Sequence, residues 1–343
     1  MPEVTKIYDF LEQARLTPVV DVRSPSEFSQ GHIPGAFNIP LFTDEERKTV
    51  GILYKKSGRK EAIKKGFKIL ASKFSILIND YLSLAEEGRI MLYCWRGGMR
   101  SGAVGWLLER YGMQVTVLDK GYKSFRQLIR NYFSNDLKLY ILGGMTGSGK
   151  TEMLSELQKK GHQAIDLESI ANHKGSAFGA LGEDHQPTNE QFENDLLFEF
   201  LKLDKRNIIW LENESRSIGK VIIPDELYRQ MKESHIFNIE IPLTLRIDRL
   251  VNEYSRFCKD DLIECIQKIK KKIGGKDLLE AQKALEVNNY HKFAAITLRY
   301  YDKTYNYSLQ QRIPERIIQM HSQSSSPSEN VILIEKYLEQ HEF

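Results

Sequence analysis

The stretch Leu139-Tyr-Ile-Leu-Gly-Gly-Met-Thr-Gly-Ser-Gly-Lys-Thr151 constrains this chain more than any other. An apolar run, Leu139 to Leu142, enters Gly144-x-x-x-x-Gly149-Lys150-Thr151, and the residues from Glu152 to Lys160 predict a helix leaving it. Strand, glycine loop and helix in that order are the context a P-loop requires. The glycines let backbone N–H groups converge on phosphate oxygens, and the helix N-terminus adds a favourable partial charge. Lys150 is placed to reach the outer phosphate, and a threonine at position 151 typically offers its hydroxyl to Mg²⁺. The motif predicts a phosphate site without saying which phosphorylated molecule fills it.

The strand–helix alternation continues after the loop. His162 to Glu168 reads as a strand ending in acids, Asn189 to Lys202 as an amphipathic helix, and Asn207 to Leu211 as a strand followed by Glu212 and Glu214. Phe237 to Ile241 is a further strand. Such alternation predicts a parallel sheet with helices on both faces, and ligands in these sheets sit beyond the carboxyl ends of the strands. Asp166, Glu168, Glu212 and Glu214 are therefore candidate site acids, for metal or water contacts near the phosphates, with helix capping as the plain alternative. Beyond Pro242 the pattern turns helical: 243–257, 260–273, 276–287 and 290–311. Arg246 and Arg249 either reach phosphates or face solvent, and the tyrosines from Arg299 to Tyr307 either pack helices or stack bases. Ser322 to Ser328 reads as a polar linker, and Val331 to His341 as a final strand or helix.

A chain of 343 residues is long for one core and suggests two domains. We place them at 1–135 and 136–343, with the predicted helix 122–135 between them. In the first, Pro18 to Arg23 predicts a buried strand, Ser26 starts a capped helical turn, and Arg89 to Tyr93 predicts a second buried strand. That strand runs into Cys94-Trp-Arg-Gly-Gly-Met-Arg-Ser101, followed by a predicted helix, 102–110. A cysteine at this place faces converging N–H donors, and Arg96 and Arg100 add positive charge. Both favour the thiolate, so Cys94 is a candidate nucleophile. Chalcogen transfer and phosphate-ester cleavage both need a thiolate in such an anion nest, and the loop alone does not separate them. His32 is expected to be a structural hydrogen-bonder.

The three cysteines, Cys94, Cys258 and Cys265, make no disulfide framework, which suggests a reducing cytoplasm. Cys258 and Cys265 are expected to be buried small hydrophobes, and no Cys/His cluster suggests a metal site. The N-terminus lacks a signal-peptide layout, and no apolar run is long enough to span a membrane. The net charge of +3 is unevenly spread. Val50 to Lys68 carries Lys55, Lys56, Arg59, Lys60, Lys64, Lys65 and Lys68 against Glu61 alone, and a second lysine run surrounds Lys271. These runs are either solvated helix faces or contacts to a polyanion.

Asp21-Val-Arg23, Glu27-Phe, Gly31-His-Ile-Pro-Gly-Ala36 and the Cys94 loop resemble a rhodanese domain, with Val115 to Lys123 similar to its closing strand and turn. The likeness covers residues 5–130 and is interrupted by an insertion, about 44–71. Cys94 to Arg100 also fits the Cys-x5-Arg loop of Cys-dependent phosphatases and arsenate reductases.

A rhodanese-like module followed directly by a P-loop domain resembles the bacterial tRNA 2-selenouridine synthases, nearly end to end. The family's Cys-x-Arg-Gly-Gly-x-Arg-Ser is matched by Cys94 to Ser101 and its P-loop by Gly143 to Thr151. Its other signature segments look like Asp166 to Gly179, Leu211 to Gly219 and the Val50 to Gly66 insertion. Lys303 departs from an expected proline, which puts a helix end there in question. The resemblance implies an α/β fold of two domains, the second with a helical C-terminal part. It implies an enzyme that converts the wobble 2-thiouridine of tRNA to 2-selenouridine through S-geranyl-2-thiouridine. Geranyl diphosphate and selenophosphate are the co-substrates, with no tightly bound cofactor and Mg²⁺ an open question. Gly144, Gly147, Ser148, Gly149, Lys150 and Thr151 would then hold a diphosphate leaving group. Cys94, with Arg96, Gly97, Gly98 and Arg100, would meet selenophosphate, and Lys55, Lys56, Arg59, Lys64, Lys65 and Lys271 would hold the tRNA backbone. The other classes open to these motifs are a kinase fused to a sulfurtransferase or Cys-dependent phosphatase, and a non-catalytic regulator.

Overall fold

The computed structural model describes residues 2–85 and 87–341. Its contacts divide the chain into two compact units, Met1–Tyr132 with Glu193–Leu197, and Phe133–Phe192 with Phe198–Phe343.

The first unit runs β1 (Glu3–Thr5), α1 (Ile7–Gln13), β2 (Val19–Asp21), α2 (Pro25–Gln30), β3 (Phe37–Asn38), α3 (Asp44–Leu84), β4 (Arg89–Tyr93), α4 (Met99–Arg110), β5 (Gln114–Leu118) and α5 (Tyr122–Phe133). Its strands form a five-stranded parallel sheet in the order β1-β5-β4-β2-β3. Ile90 to Tyr93 of β4 are buried throughout, as expected of a central parallel strand covered on both faces. Ser24 starts α2 with a capping box to Glu27, and Pro25 fits its first turn.

The insertion is helical. Thr43 and Glu46 form the capping box that starts α3, with Asp44 and Glu45 in its acidic first turn. Gly58, with φ 83° and ψ 177°, breaks the helix into two arms. Beyond it, Ala62, Gly66, Leu70, Leu77 and Tyr81 recur at helical spacing and are buried, joining Val104, Leu108 and the sheet residues in one core. Before Gly58 no residue of α3 is fully buried; this first arm mixes acids, bases and the half-buried Val50, which packs on the core, while Arg59, Lys60, Lys64, Lys65 and Lys68 follow the glycine.

The second unit runs β6 (Leu139–Gly143), α6 (Lys150–Lys159), β7 (Gln163–Ile165), α7 (Leu167–Ala171), α8 (Asn189–Leu201), β8 (Ile209–Glu212), β9 (Ser217–Ile218), β10 (Val221–Ile222), α9 (Asp225–Glu233) and β11 (His235–Glu240). It continues with α10 (Leu243–Tyr254), α11 (Lys259–Lys268), α12 (Lys270–Ile273), α13 (Gly275–Glu286), α14 (Tyr290–Gln310), β12 (Ile317–His321) and α15 (Pro327–Gln340). The parallel sheet has the order β12-β11-β6-β8-β7, which puts the P-loop strand at its centre. One core lies between this sheet and α6 and α15, and a second joins Phe178 to the helices after Pro242. No helix among the described residues is long and apolar enough to cross a membrane.

Several local expectations need correction. The acidic strand end 166–168 is a helix start: Asp166 caps α7 by accepting the Ser169 N–H at 2.8 Å, and Glu168 sits in its first turn. Cys265 is buried, but Cys258 is exposed because it caps α11 through its sulfur rather than lying on the helix's apolar face. The helix predicted over 260–273 is two, α11 and α12, and α14 continues through Lys303 without ending. The segment 331–341 is the body of α15, whose cap, Ser326, comes from the polar linker. Strands β1 and β12 and the β9–β10 hairpin have no counterpart in the sequence reading; each is short or lies at a sheet edge, where the apolar pattern is weak.

Candidate functional site

Two sites can be built from the residues upward, one in each unit. In the first, β4 delivers Cys94 to the carboxyl edge of its sheet, and the loop is fastened by the turn before α5. Tyr122 donates its N–H to the Cys94 carbonyl at 2.8 Å, and Lys123 to the Trp95 carbonyl at 3.0 Å. Gly97 and Gly121 both adopt positive φ, 59° and 56°, and interlock. A Cβ on Gly121 would stand 2.1 Å from the Cys94 carbonyl oxygen, and one on Gly97 would stand 2.4 Å from that of Leu118. The loop therefore passes through a gap only two hydrogens wide.

Cys94 is 3% exposed. Burial works to raise its thiol, yet the net shift is downward: the Ser101 hydroxyl donates to Sγ at 3.2 Å, the Ser101 and Arg96 N–H groups point to it, and the Arg100 charge lies close. The N-terminus of α4 starts at Met99 and adds its partial positive charge. Arg96 and Gly98 are exposed at the mouth. Arg100 is committed differently from the expectation that its donors meet the anion. It forks onto Glu27 at 2.6 and 3.2 Å, and Arg47 approaches the same carboxylate at 3.4 Å. Arg100 thus contributes charge and loop position, while the donors open to an incoming anion are Arg96 and the loop amides. Sequence reasoning missed Glu27 in this role, although Glu27 belongs to the segment that carries the rhodanese likeness. His32 donates from Nδ1 to the Phe28 carbonyl, 3.0 Å away, and stacks on Phe28, a structural part as expected.

In the second unit, Gly144 to Thr151 connects the centre of the sheet to α6. Gly144 N donates to the Tyr305 hydroxyl at 2.8 Å, which donates onward to Asn238 Oδ1 at 2.5 Å, so α14 holds the loop's first turn. Lys150 reaches back to the Gly144 carbonyl at 3.4 Å. Ser148 is buried in the loop with no partner for its hydroxyl among the described residues. Arg246 is buried and does not face solvent: it pairs with Asp302 at 2.8 Å and donates to Thr146 O at 3.2 Å. Arg249 packs against Gly149, its guanidinium 2.8 Å from where a Cβ would stand, and pairs with Glu152.

The structure gathers Glu168, Glu212 and Glu214 beside Lys150, with Asp166 next to Glu212. Glu212 accepts the Glu168 N–H at 2.8 Å, and Glu168 Oε2 lies 3.5 Å from the Thr151 hydroxyl. Glu168 and Glu214 both approach Gly175, to within 2.7 and 2.8 Å of the position its Cβ would take. Burial raises all four acids; repulsion from neighbouring carboxylates adds to it at Glu168 and Glu212, Glu183 adds to it at Asp166, and Lys150 works against it at Glu214. Burial opposes the charge of Lys150, but Glu168 and Glu214 outweigh it and keep the ammonium.

A carboxyl raised in this way stabilises the fold fully below its unfolded value, near 4.5 for Glu168. The contribution is then lost as the pH climbs through the folded value. Glu168→Gln, which stays neutral, is therefore expected to melt roughly 2–4 °C above wild type at about pH 8. The two proteins should melt together at about pH 4, in thermal scans without added metal. A pH-independent offset would contradict a raised Glu168 carboxyl.

Lys55, Lys56, Arg59 and Lys64 are exposed on α3 and Lys65 is half-buried there, while Lys271 is exposed on α12, in the other unit. The tyrosine segment does not present a stacking face as a whole. Tyr301 donates to no base but accepts the Ala177 N–H at 3.0 Å, Tyr305 serves the P-loop, and Tyr307 alone of the three is largely exposed.

Comparison with known proteins supports both units. The family described as "tRNA 2-selenouridine synthase AAA domain" matches residues 137–331, and the rhodanese-like domain matches residues 3–128. A protein of Nitrosomonas europaea named tRNA 2-selenouridine synthase is 37% identical over 246 residues, 69% of this chain and 63% of that one. Relatives of the same name are 34% identical in a Sulfurovum species, over 86% of this chain and 89% of the relative, and 33% identical in Shewanella frigidimarina, over 88% and 90%. With both domains matched in order and the alignment running through most of the chain, this protein belongs to the tRNA 2-selenouridine synthase family.

Proposed function

We propose that the chain is the enzyme its family name describes, replacing the sulfur of a wobble 2-thiouridine in tRNA with selenium in two steps. The observation that carries the reading is the pairing of a thiolate-favouring nest around Cys94 with a P-loop whose Lys150 stands among buried acids. In the first step the thiocarbonyl sulfur attacks C1 of geranyl diphosphate, the C–O bond breaks, and N3 of the base loses its proton. Gly144, Gly147, Ser148, Gly149, Lys150 and Thr151 hold the departing diphosphate, whose negative charge Lys150 stabilises as it develops. The Thr151 and Glu168 oxygens are donors of the type Mg²⁺ takes beside phosphate. When bound, such an ion would neutralise diphosphate charge.

Alkylation turns a poor leaving group into a better one. In the second step a selenium nucleophile from selenophosphate attacks C2 and geranylthiolate leaves. Arg96 and the amides of Gly97 and Gly98 receive selenophosphate; the Cys94 thiolate attacks its phosphorus, the selenium–phosphorus bond breaks, selenide leaves as the nucleophile for C2, and water then frees phosphate from Cys94. Arg100 keeps the loop charged and in place. A thiolate in this role suits a reducing cytoplasm.

The test is nucleoside analysis by mass spectrometry of tRNA from cells with and without the protein, grown with selenium. Selenouridine that depends on the protein, with S-geranyl-2-thiouridine accumulating when selenium is withheld, is the expected result. Selenouridine in equal amounts from both strains would overturn the reading. ATP turnover without tRNA would favour a kinase in its place.

A further inference from the structure

The geometry points to an RNA-loop docking surface on the first unit, in which the exposed indole of Trp95 is a stacking platform for the target base and the basic arm of α3 holds the phosphates around it. This rests on the proposed action of Cys94 on a tRNA base. The two variable positions of the Cys-x-Arg-Gly-Gly-x-Arg-Ser loop are filled here by Trp95 and Met99, and both remain open to solvent, 38% and 51% exposed. Large apolar groups at the mouth of an anion site do nothing for a small hydrophilic anion. They suit a flat, weakly polar ring.

Trp95 is also held rather than loose. Its ring lies 5.8 Å from that of the buried Tyr122, and the Arg23 guanidinium sits 5.9 Å from it, itself fixed by Asp21. A ring immobilised on one side and open on the other loses little freedom when a base stacks on it.

Basic side chains lie on the elements that adjoin the Cys94 loop. Arg59 follows the Gly58 elbow directly, and its Nη2 lies 3.9 Å from Met99 Sδ, so the start of the second, basic arm of α3 lies at the rim of the Cys94 loop. Lys55, Lys56, Lys60 and Lys64 are exposed on either side of the elbow, Arg96 lies beside Trp95, and Lys120 and Lys123 are exposed on the turn that fastens the loop. A wobble base is single-stranded in its loop and can be presented outward to an aromatic face, which is how sequence-tolerant RNA binders hold bases.

The test is a binding cycle on the full chain. An anticodon stem-loop RNA with 2-thiouridine at the wobble position is compared with the same RNA abasic there, using wild type, Trp95→Leu and Trp95→Phe, by fluorescence anisotropy of labelled RNA. Removing the base from wild type is expected to weaken binding roughly 5- to 150-fold. Trp95→Leu should lose a similar factor with the intact RNA and almost nothing further with the abasic one, while Trp95→Phe keeps most of the affinity. Arg59→Ala should lower the slope of log Kd against log salt by about 1, whereas Trp95→Leu leaves the slope unchanged. Equal wild-type affinity for intact and abasic RNA, or additive losses in the cycle, would overturn the platform. An unchanged salt slope in Arg59→Ala would overturn the arm. These measurements need no selenophosphate, so they stand or fall separately from the nucleoside analysis that tests the reaction.

Discussion

Cys94→Ala is expected to abolish selenation, by about a thousandfold or more, while geranylation of the same tRNA stays within about twofold of wild type. The asymmetry follows from the chain's division into two units with a separate site in each. Removing Sγ takes away the group toward which Ser101 and the loop amides are directed, and no other thiol lies in the first unit. Packing alone does not account for such a loss. Cys94→Ser, nearly the same size, should fail equally, because a serine hydroxyl stays protonated where a thiol with a lowered pKa ionises. Mass spectrometry of nucleosides from tRNA incubated with selenophosphate and geranyl diphosphate measures both products in one sample. Full selenouridine in either variant would remove Cys94 from the chemistry.

Lys150→Ala is the counterpart in the second unit. Lys150 is the cation set among Glu168, Glu214 and Glu212, and it reaches back over the loop to Gly144. Without it a bound diphosphate would keep the loop amides but face the acids with no lysine between them. Calorimetric affinity for geranyl diphosphate should fall roughly 10- to 100-fold, the worth of a strong charge-assisted contact. Geranylation should fall further, by about 100- to 1000-fold, because the charge on the leaving group is greatest in the transition state. Selenation of a tRNA already carrying S-geranyl-2-thiouridine should be left intact. Unchanged affinity would mean that the P-loop serves some other ligand.

What the sequence revealed and what it hid divide along physical lines. The P-loop and the Cys94 loop are local: a buried strand, glycines and a following helix lie within a short span, so their geometry could be read directly. The long-range partners were not legible. Glu27 reaches Arg100 from seventy-three residues away, and Tyr305 reaches Gly144 from one hundred and sixty-one. Nothing in a tyrosine-rich helix says which ring will turn toward a loop so distant. The helical spacing of Tyr301 and Tyr305, with Asp302 between them, was the available hint that this face packs rather than waits for a base. Asp166 illustrates a different failure. An acid after an apolar run is both a strand end and a helix cap, and the Ser169 N–H that decides between them belongs to the fold. The α3 insertion was recognised by its charge, but its two-armed shape depends on one positive-φ glycine that sequence alone does not distinguish from its neighbours.

The interlock of Gly97 with Gly121 limits how this family's chemistry can be redesigned on this chain. A crowded pair of side chains can be relieved by shrinking either one, so the loss at one position is recoverable at the other. Here each missing Cβ would meet main-chain atoms, which no substitution can shrink. The two positions consequently have no compensating partners, and second-site suppressors of a change at either are not expected among nearby side chains. Variation around Cys94 is left to the two residues whose side chains leave the loop for solvent without a part in the anion nest, Trp95 and Met99. The fixed core of the loop and its adjustable face are separated by a single residue.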